Sequence, residues 1–84
     1  MSESERESRR QLRNLGEAVR QLREQRGSTS AELAAALGVE ERYLRALEAG
    51  EHDPDYELLF TLARALDIRP ATLIGKAEEL AREG

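Results

Sequence analysis

The sequence predicts an all-α fold, a compact bundle of five helices. Three observations lead to this prediction. Apolar residues recur three or four positions apart in five separate stretches, the spacing that places them on one face of a helix. Glycine, proline and aspartate residues separate these stretches and mark helix ends and starts. No stretch alternates apolar and polar residues as a half-buried strand does, and 84 residues are enough for one small domain.

The first predicted helix covers about residues 9–26, and Gly27 ends it. Its apolar stripe consists of Leu12, Leu15, Ala18, Val19 and Leu22. The preceding residues 1–8 are polar and have no apolar anchor beyond the initiator methionine. They are expected to form a flexible tail or a frayed start of the helix. The chain is thereby divided into this tail and a single domain, residues 9–82.

The next two predicted helices are short and lie close together in the sequence. The first covers about Ser30–Leu37 and begins with Thr29 and Glu32, which have the spacing of a capping box. Gly38 ends it, because glycine most easily adopts the positive φ of a tight turn. The second covers about residues 41–49. The apolar residues expected to face inward are Leu33, Leu37, Val39, Leu44 and Leu47.

The last two predicted helices follow a loop rich in glycine, proline and aspartate. Asp55 is expected to cap the fourth helix, about residues 56–66, and Asp53 competes for that role. Pro70 suits the first turn of the fifth helix, which extends to about residue 82. The aromatic residues of the fourth helix, expected in the core or at an interface, are Tyr56 and Phe60.

Residues 30–49 combine the features of a helix-turn-helix. Two short helices are joined by a turn of three residues that starts at Gly38. Ala34 is small where the two helices would cross, and the second helix keeps one face free. In such a unit the second helix is presented outward. Residues 30–49 are therefore the predicted helix-turn-helix core of the domain, that is, its two-helix unit.

Residues 15–74 resemble the lambda-repressor-like, or Cro-type (XRE), helix-turn-helix domain. The matching pieces are 15–23 (LGEAVRQLR), Arg26 with Gly27, 32–34 (ELA), 37–39 (LGV), Tyr43 with Leu44, Leu47 with Glu48, Gly50, Pro54, 62–66 (LARAL), and Leu73 with Ile74. The resemblance implies a lambda-repressor-like five-helix fold. It also implies sequence-specific binding of double-stranded DNA, usually by a homodimer on a two-fold site.

By the same resemblance, helix 41–49 is the helix that enters the major groove. Arg42 is the expected base reader, because arginine pairs bidentately with guanine. Glu41 is expected to accept a hydrogen bond from cytosine, and Tyr43 and Ser30 to reach phosphates. The complete set of candidate DNA-binding residues is Ser30, Glu41, Arg42, Tyr43, Arg45 and Ala46.

The resemblance gives another acidic residue of this helix a structural role. In the family, the position of Glu48 pairs with an arginine of the first helix, which is Arg23 in this chain. We therefore expect Arg23 and Glu48 to form a structural ion pair. Glu40 stands where the family usually has a serine or threonine, directly before the helix that enters the groove.

Composition excludes several classes of function. The chain has no cysteine and a single histidine, His52, so we expect no metal site and no cofactor. It has no phosphate-binding glycine loop and no catalytic motif around His52, which indicates that the protein is not an enzyme. The longest apolar run covers residues 33–37, too short to span a membrane. The polar start shows no signal peptide, so a cytoplasmic location is expected.

The negative charge of the chain is compatible with two functions. The chain carries a net charge of −4, and residues 27–55 contain two arginines against seven acidic residues, a net charge of −5. The first hypothesis is a transcriptional regulator, a repressor that binds a two-fold operator as a dimer and has a possible regulatory protein partner. The alternative is a protein–protein interaction module on the same fold, which binds a basic partner through this acidic middle segment.

Overall fold

A computed structural model describes residues 2–84, which form five α-helices and, within that range, no strand. The helices are α1 (Glu3–Gln25), α2 (Ser30–Leu37), α3 (Glu41–Glu48), α4 (Tyr56–Ala65) and α5 (Pro70–Glu83). The predicted all-α five-helix fold is confirmed. Over the described range, none of the helices is long and apolar enough to cross a membrane.

Local sequence signals set most helix ends. Thr29 and Glu32 form the predicted capping box at the start of α2, which satisfies two backbone N–H groups. Asp55, rather than Asp53, caps α4, because its Oδ1 accepts a hydrogen bond of 2.8 Å from the backbone N–H of Leu58. Gly38 adopts φ 71° and ends α2, as predicted.

Helix α1 starts at Glu3, six residues before the predicted start at residue 9. Of the two alternatives for this segment, the structure therefore has the helix; residue 1 lies outside the described residues. Ser2 caps the helix by accepting a 3.1 Å hydrogen bond from the backbone N–H of Glu5. An ion pair between Glu7 and Arg10 at 2.8 Å adds support one turn further on.

A small aliphatic core lies where the five helices meet. Its buried members are Ala18, Val19, Leu33, Ala34, Leu44, Leu47, Leu62, Leu66 and Leu73. Helix α1 packs against α5 and α3, while α2 packs against α3 and α4. The expectation that Tyr56 and Phe60 lie in the core is wrong. The exposed fraction of the residue surface is 80% for Tyr56 and 53% for Phe60. Helix α4 fills the core with leucine and alanine and leaves the aromatic rings on its outer side.

The close approach of α1 and α3 depends on Gly16, which is buried in the middle of α1. A methyl group built at Gly16 would lie 2.5 Å from the carbonyl oxygen of Glu48 and would also meet that of Leu47. Because no side chain fits there, the end of α3 rests directly on the α1 backbone. This contact brings the C-terminal end of α3 close to α1.

Candidate nucleic-acid interface

The turn between α2 and α3 is closed by backbone hydrogen bonds. The N–H of Gly38 donates to the carbonyl of Ala35 at 3.1 Å, and the N–H of Val39 donates to that of Ala34 at 3.0 Å. These bonds satisfy carbonyl groups at the end of α2 that would otherwise lack partners. Leu44 and Leu47 then bury one face of α3 in the core. The opposite face of α3 is left for contacts outside the protein.

The exposed face of α3 presents two arginines. The Arg42 side chain is 87% exposed and that of Arg45 is 68% exposed. Each guanidinium is paired with a nearby carboxylate: the Nε of Arg42 donates to Glu40 and the Nη2 of Arg45 donates to Glu41, both at 2.7 Å. Both base-reading candidates are therefore accessible, and both are neutralised by an adjacent acid in the free protein.

Ser30, Glu41 and Arg45 form one connected group. The Oγ of Ser30, in the first turn of α2, donates to the Oε2 of Glu41 at 2.5 Å, and this same oxygen accepts from Arg45. The hydrogen bond from Ser30, and then that from Arg45, hold the pKa of Glu41 below its usual value. In this arrangement the Ser30 hydroxyl donates its hydrogen bond to Glu41, not to a phosphate.

Tyr43 and His52 form an aromatic stack on the same groove as Arg42. Their ring centroids lie 4.7 Å apart with an angle of 13° between the planes. The stack borders an open groove of about 510 Å³. The groove is lined by Val39, Glu40, Arg42, Tyr43, Ala46 and His52. Three of the six candidate DNA-binding residues thus line this groove: Arg42, Tyr43 and Ala46.

The sequence alone did not identify His52 or Glu40 as part of this surface. His52 lies in the loop after α3, and no periodicity connects it with Tyr43. Glu40 was identified only as a departure from the family pattern. Its short spacing from Arg42, two residues, is not one at which helix side chains usually meet.

Arg23 and Glu48 face the interior instead. The Nε of Arg23 donates to the Oε2 of Glu48 at 2.8 Å, and its Nη2 donates to the Oε1 at 3.1 Å. A third bond of 3.0 Å leads from Nη1 to the carbonyl of Ser28. The two side chains are only 12% and 8% exposed, and the hydrogen bond to Glu48 raises the pKa of Arg23. This pair ties α1 to α3 and turns the charge of Glu48 away from the outer surface.

Within residues 2–84, no three histidine or acidic side chains come together in a way that could hold a metal ion. The exposed face of α3 and the adjoining groove present arginines, carboxylates and the stacked rings of Tyr43 and His52. A helix of eight residues, held by a sharp turn and presenting arginines, fits the width of a DNA major groove. These features define the class as a helix-turn-helix domain.

Comparison with known proteins agrees with this class. A family described as Helix-turn-helix matches residues 19–73 of the chain. The chain belongs to this family of helix-turn-helix, XRE-type DNA-binding transcriptional regulators.

Two curated regulators are similar in sequence. The HTH-type transcriptional regulator y4dJ of Sinorhizobium fredii is 32% identical over 65 residues, which are 77% of this chain and 84% of that protein. The HTH-type transcriptional regulator SinR of Bacillus licheniformis is 28% identical over 71 residues. That match covers 83% of this chain and 64% of SinR.

Two solved structures are similar in fold and sequence. The clp gene regulator ClgR from Corynebacterium glutamicum superimposes with a TM-score of 0.80 and 35% identity, over 82% of this chain and 88% of that one. The restriction-modification controller protein C.AhdI from Aeromonas hydrophila gives a TM-score of 0.71 and 32% identity. That superposition covers 74% of this chain and 94% of the controller protein.

Proposed function

We propose that this protein is a sequence-specific repressor that binds a two-fold DNA operator as a dimer, with α3 in the major groove. The observation that carries the proposal is the division of α3 into two faces. Leu44 and Leu47 anchor it in the core, while Arg42 and Arg45 project outward and Arg42 also lines an open groove. Arginine is the residue that most often reads guanine in the major groove.

The other candidate residues support this binding mode. Tyr43 and Ala46 lie on the groove next to Arg42, where a phenolic hydroxyl reaches phosphates and a small methyl group packs against thymine. The backbone of Arg13 lies against Gly50 in the loop after α3, which brings α1 close to the end of this helix. A guanidinium at Arg13 that reaches the duplex would offset part of the acidic charge of the middle segment.

A second copy of the chain would place two such helices on one face of the DNA. Two-fold operators are read by dimers whose half-sites lie about one helical turn, or 34 Å, apart. The exposed rings of Tyr56 and Phe60, four residues apart on α4, offer an apolar surface for a partner copy. Occupancy of an operator is by itself sufficient for repression. The similarity to ClgR, a clp gene regulator, and to C.AhdI, a restriction-modification controller protein, supports a regulatory role.

Selection from a randomised duplex pool at low salt, followed by sequencing and a salt titration of the winning sequence, tests the proposal. We expect an enriched two-fold motif and an affinity that falls steeply with salt. Arg42→Ala is expected to relax the preference at one base pair per half-site by about 1–3 kcal/mol. Arg82→Ala removes the same charge from the last turn of α5 and should leave the preference unchanged. A pool without enrichment would contradict operator binding.

One observation favours a second function, a protein–protein interaction module. Glu51 and Asp53 are exposed in the loop after α3, close to the groove, and carboxylates there oppose phosphates. A basic segment of a regulatory protein would be attracted to them. Salt-sensitive binding of a lysine-rich peptide, measured by fluorescence anisotropy and weakened in Glu51→Gln and Asp53→Asn, would support this function. An enriched operator with no peptide binding would exclude it.

A further inference from the structure

We infer that Glu41 is a positioning residue that holds Arg45 in one orientation for base reading, and that Ser30 in turn holds Glu41. Glu41 would then act through Arg45 and would not itself contact a cytosine. The inference rests on the proposed function, because its readout is the base preference of Arg45 in DNA.

The geometry joins the three side chains at a single atom. The Oε2 of Glu41 accepts from Ser30 at 2.5 Å and from Arg45 at 2.7 Å. Glu41 and Arg45 are four residues apart with the acid first, which is the favourable order for an ion pair on a helix. Ser30 belongs to α2, so the carboxylate is held from both helices of the helix-turn-helix. Two independent donors leave the Glu41 side chain little freedom to rotate.

The neighbouring pair of Arg42 and Glu40 provides an internal comparison. It has the same 2.7 Å contact, but the structure gives the Glu40 carboxylate no hydrogen-bond partner besides Arg42. The Glu40 side chain is 71% exposed, against 36% for Glu41. Glu40 lies before α3 begins, whereas Glu41 is its first residue. Of the two arginines that face outward, Arg45 is therefore the one whose guanidinium is fixed to the protein frame.

Fixing a guanidinium has two consequences for binding. An arginine that is already oriented loses less side-chain freedom when it pairs with a base, which sharpens its preference for one base geometry. The carboxylate that fixes it also cancels its charge, which weakens attraction to any phosphate. Glu41 should therefore lower affinity for random DNA and increase discrimination between bases, and these effects can be measured separately.

The test compares matched variants on the selected operator, its single-base variants and a random duplex. Arg45→Ala first identifies the base pair that Arg45 reads. Glu41→Ala and Glu40→Ala each remove one carboxylate, so both are expected to raise affinity for the random duplex by a similar factor. Only Glu41→Ala should lower discrimination at the Arg45 base pair, by about fivefold or more, the lower range of one bidentate contact.

Substitutions at Ser30 change no charge. Ser30→Ala is expected to lower discrimination at the same base pair and to leave binding of the random duplex unchanged. Ser30→Thr keeps the hydroxyl and should restore the wild-type preference. Circular dichroism melts of each variant verify that it is folded, and the ratio of operator to random affinity is compared only at temperatures where all variants are folded.

Three results would overturn the inference. They are an Arg45→Ala variant with unaltered base preference, equal discrimination in Glu41→Ala and Glu40→Ala, and a Ser30→Ala variant that weakens random and operator DNA alike, as loss of a phosphate contact would. Each of these leaves operator binding by Arg42 intact. Failure of the proposed function is recognised separately, because the wild-type protein would then select no motif at all.

Discussion

At the scale of single residues, the ion pairs of this protein show how burial decides the stability that is lost when one partner is removed. Arg23 and Glu48 meet through two hydrogen bonds in a place that water hardly reaches, with side chains 12% and 8% exposed. Such a pair stabilises little compared with apolar residues of the same size. Removal of one partner, however, leaves the other charge buried and unpaired. The pair between Arg20 and Glu24 lies at the surface and carries no such risk.

Glu48→Ala is therefore expected to lower the free energy of unfolding by about 3 kcal/mol. The surviving bond from Arg23 to the carbonyl of Ser28 keeps the loss from being larger. Glu24→Ala removes a carboxylate that is half exposed and should cost less than about 0.5 kcal/mol, as for other surface pairs. Urea denaturation followed by circular dichroism measures both values. Equal losses in the two variants would show that burial does not set the cost.

The same residue scale shows what the sequence could and could not predict at the site. The face of α3 follows from the positions of Leu44 and Leu47, so the exposed set could be predicted. The partners of that set could not. Whether the Ser30 hydroxyl points to a phosphate or to Glu41 depends on the crossing of α2 and α3, which no spacing encodes. The stack of His52 on Tyr43 likewise depends on how the loop folds back.

At the scale of helices, caps and stops are local signals and could be predicted well. Thr29 with Glu32, Asp55 and Gly38 all act within a few residues of their own positions. The start of α1 is different, because a polar segment without apolar residues gives no periodicity to recognise. The exposure of Phe60 was missed for a related reason. The apolar stripe of α4 includes more residues than the small core can cover, and only packing decides which are left outside.

Helix packing also gives glycine two opposite roles. Gly16 lies where the carbonyl groups of Leu47 and Glu48 touch α1, whereas a methyl group at Gly75 of α5 would meet no atom within 4 Å. Gly16→Ala must push α3 away and is expected to cost about 1–3 kcal/mol despite the better helix propensity of alanine. Gly75→Ala should stabilise the protein by about 0.5–1 kcal/mol. Thermal melts of both variants measure whether each change lowers or raises stability. Stabilisation by Gly16→Ala would disprove the tight contact.

At the scale of the whole molecule, several carboxylates hold their protons less tightly in the folded state. The hydrogen bond from Arg20 lowers the pKa of Glu17 from 4.5 to about 2. The backbone N–H of Thr29 lowers the pKa of Glu32, and the Ser30 hydroxyl lowers that of Glu41. Acid binds preferentially to the unfolded chain when folded pKa values are depressed. These groups therefore stabilise the fold fully above their unfolded pKa, and the stabilisation disappears as the pH falls through the folded pKa.

The melting temperature is consequently expected to fall between about pH 5 and pH 2. Glu17→Gln should make this fall less steep, because the stabilisation that Glu17 contributes is lost between pH 4.5 and about pH 2. Glu79→Gln, on α5, removes an exposed carboxylate for which the structure shows no side-chain hydrogen bond and serves as the control for net charge. Melts in citrate and phosphate buffers at constant ionic strength measure the slopes. Identical slopes of melting temperature against pH in Glu17→Gln and Glu79→Gln would contradict the role given to the lowered pKa of Glu17.

The stack of Tyr43 on His52 also divides the optical signals of the molecule. The sequence has no tryptophan and two tyrosines, and Tyr56 is 80% exposed, so Tyr43 is the tyrosine held in a fixed chiral environment. Near-ultraviolet dichroism therefore reports on the groove beside α3, and far-ultraviolet dichroism reports on the helices. An event that fills the groove without disturbing the bundle changes the first spectrum and leaves the second unchanged.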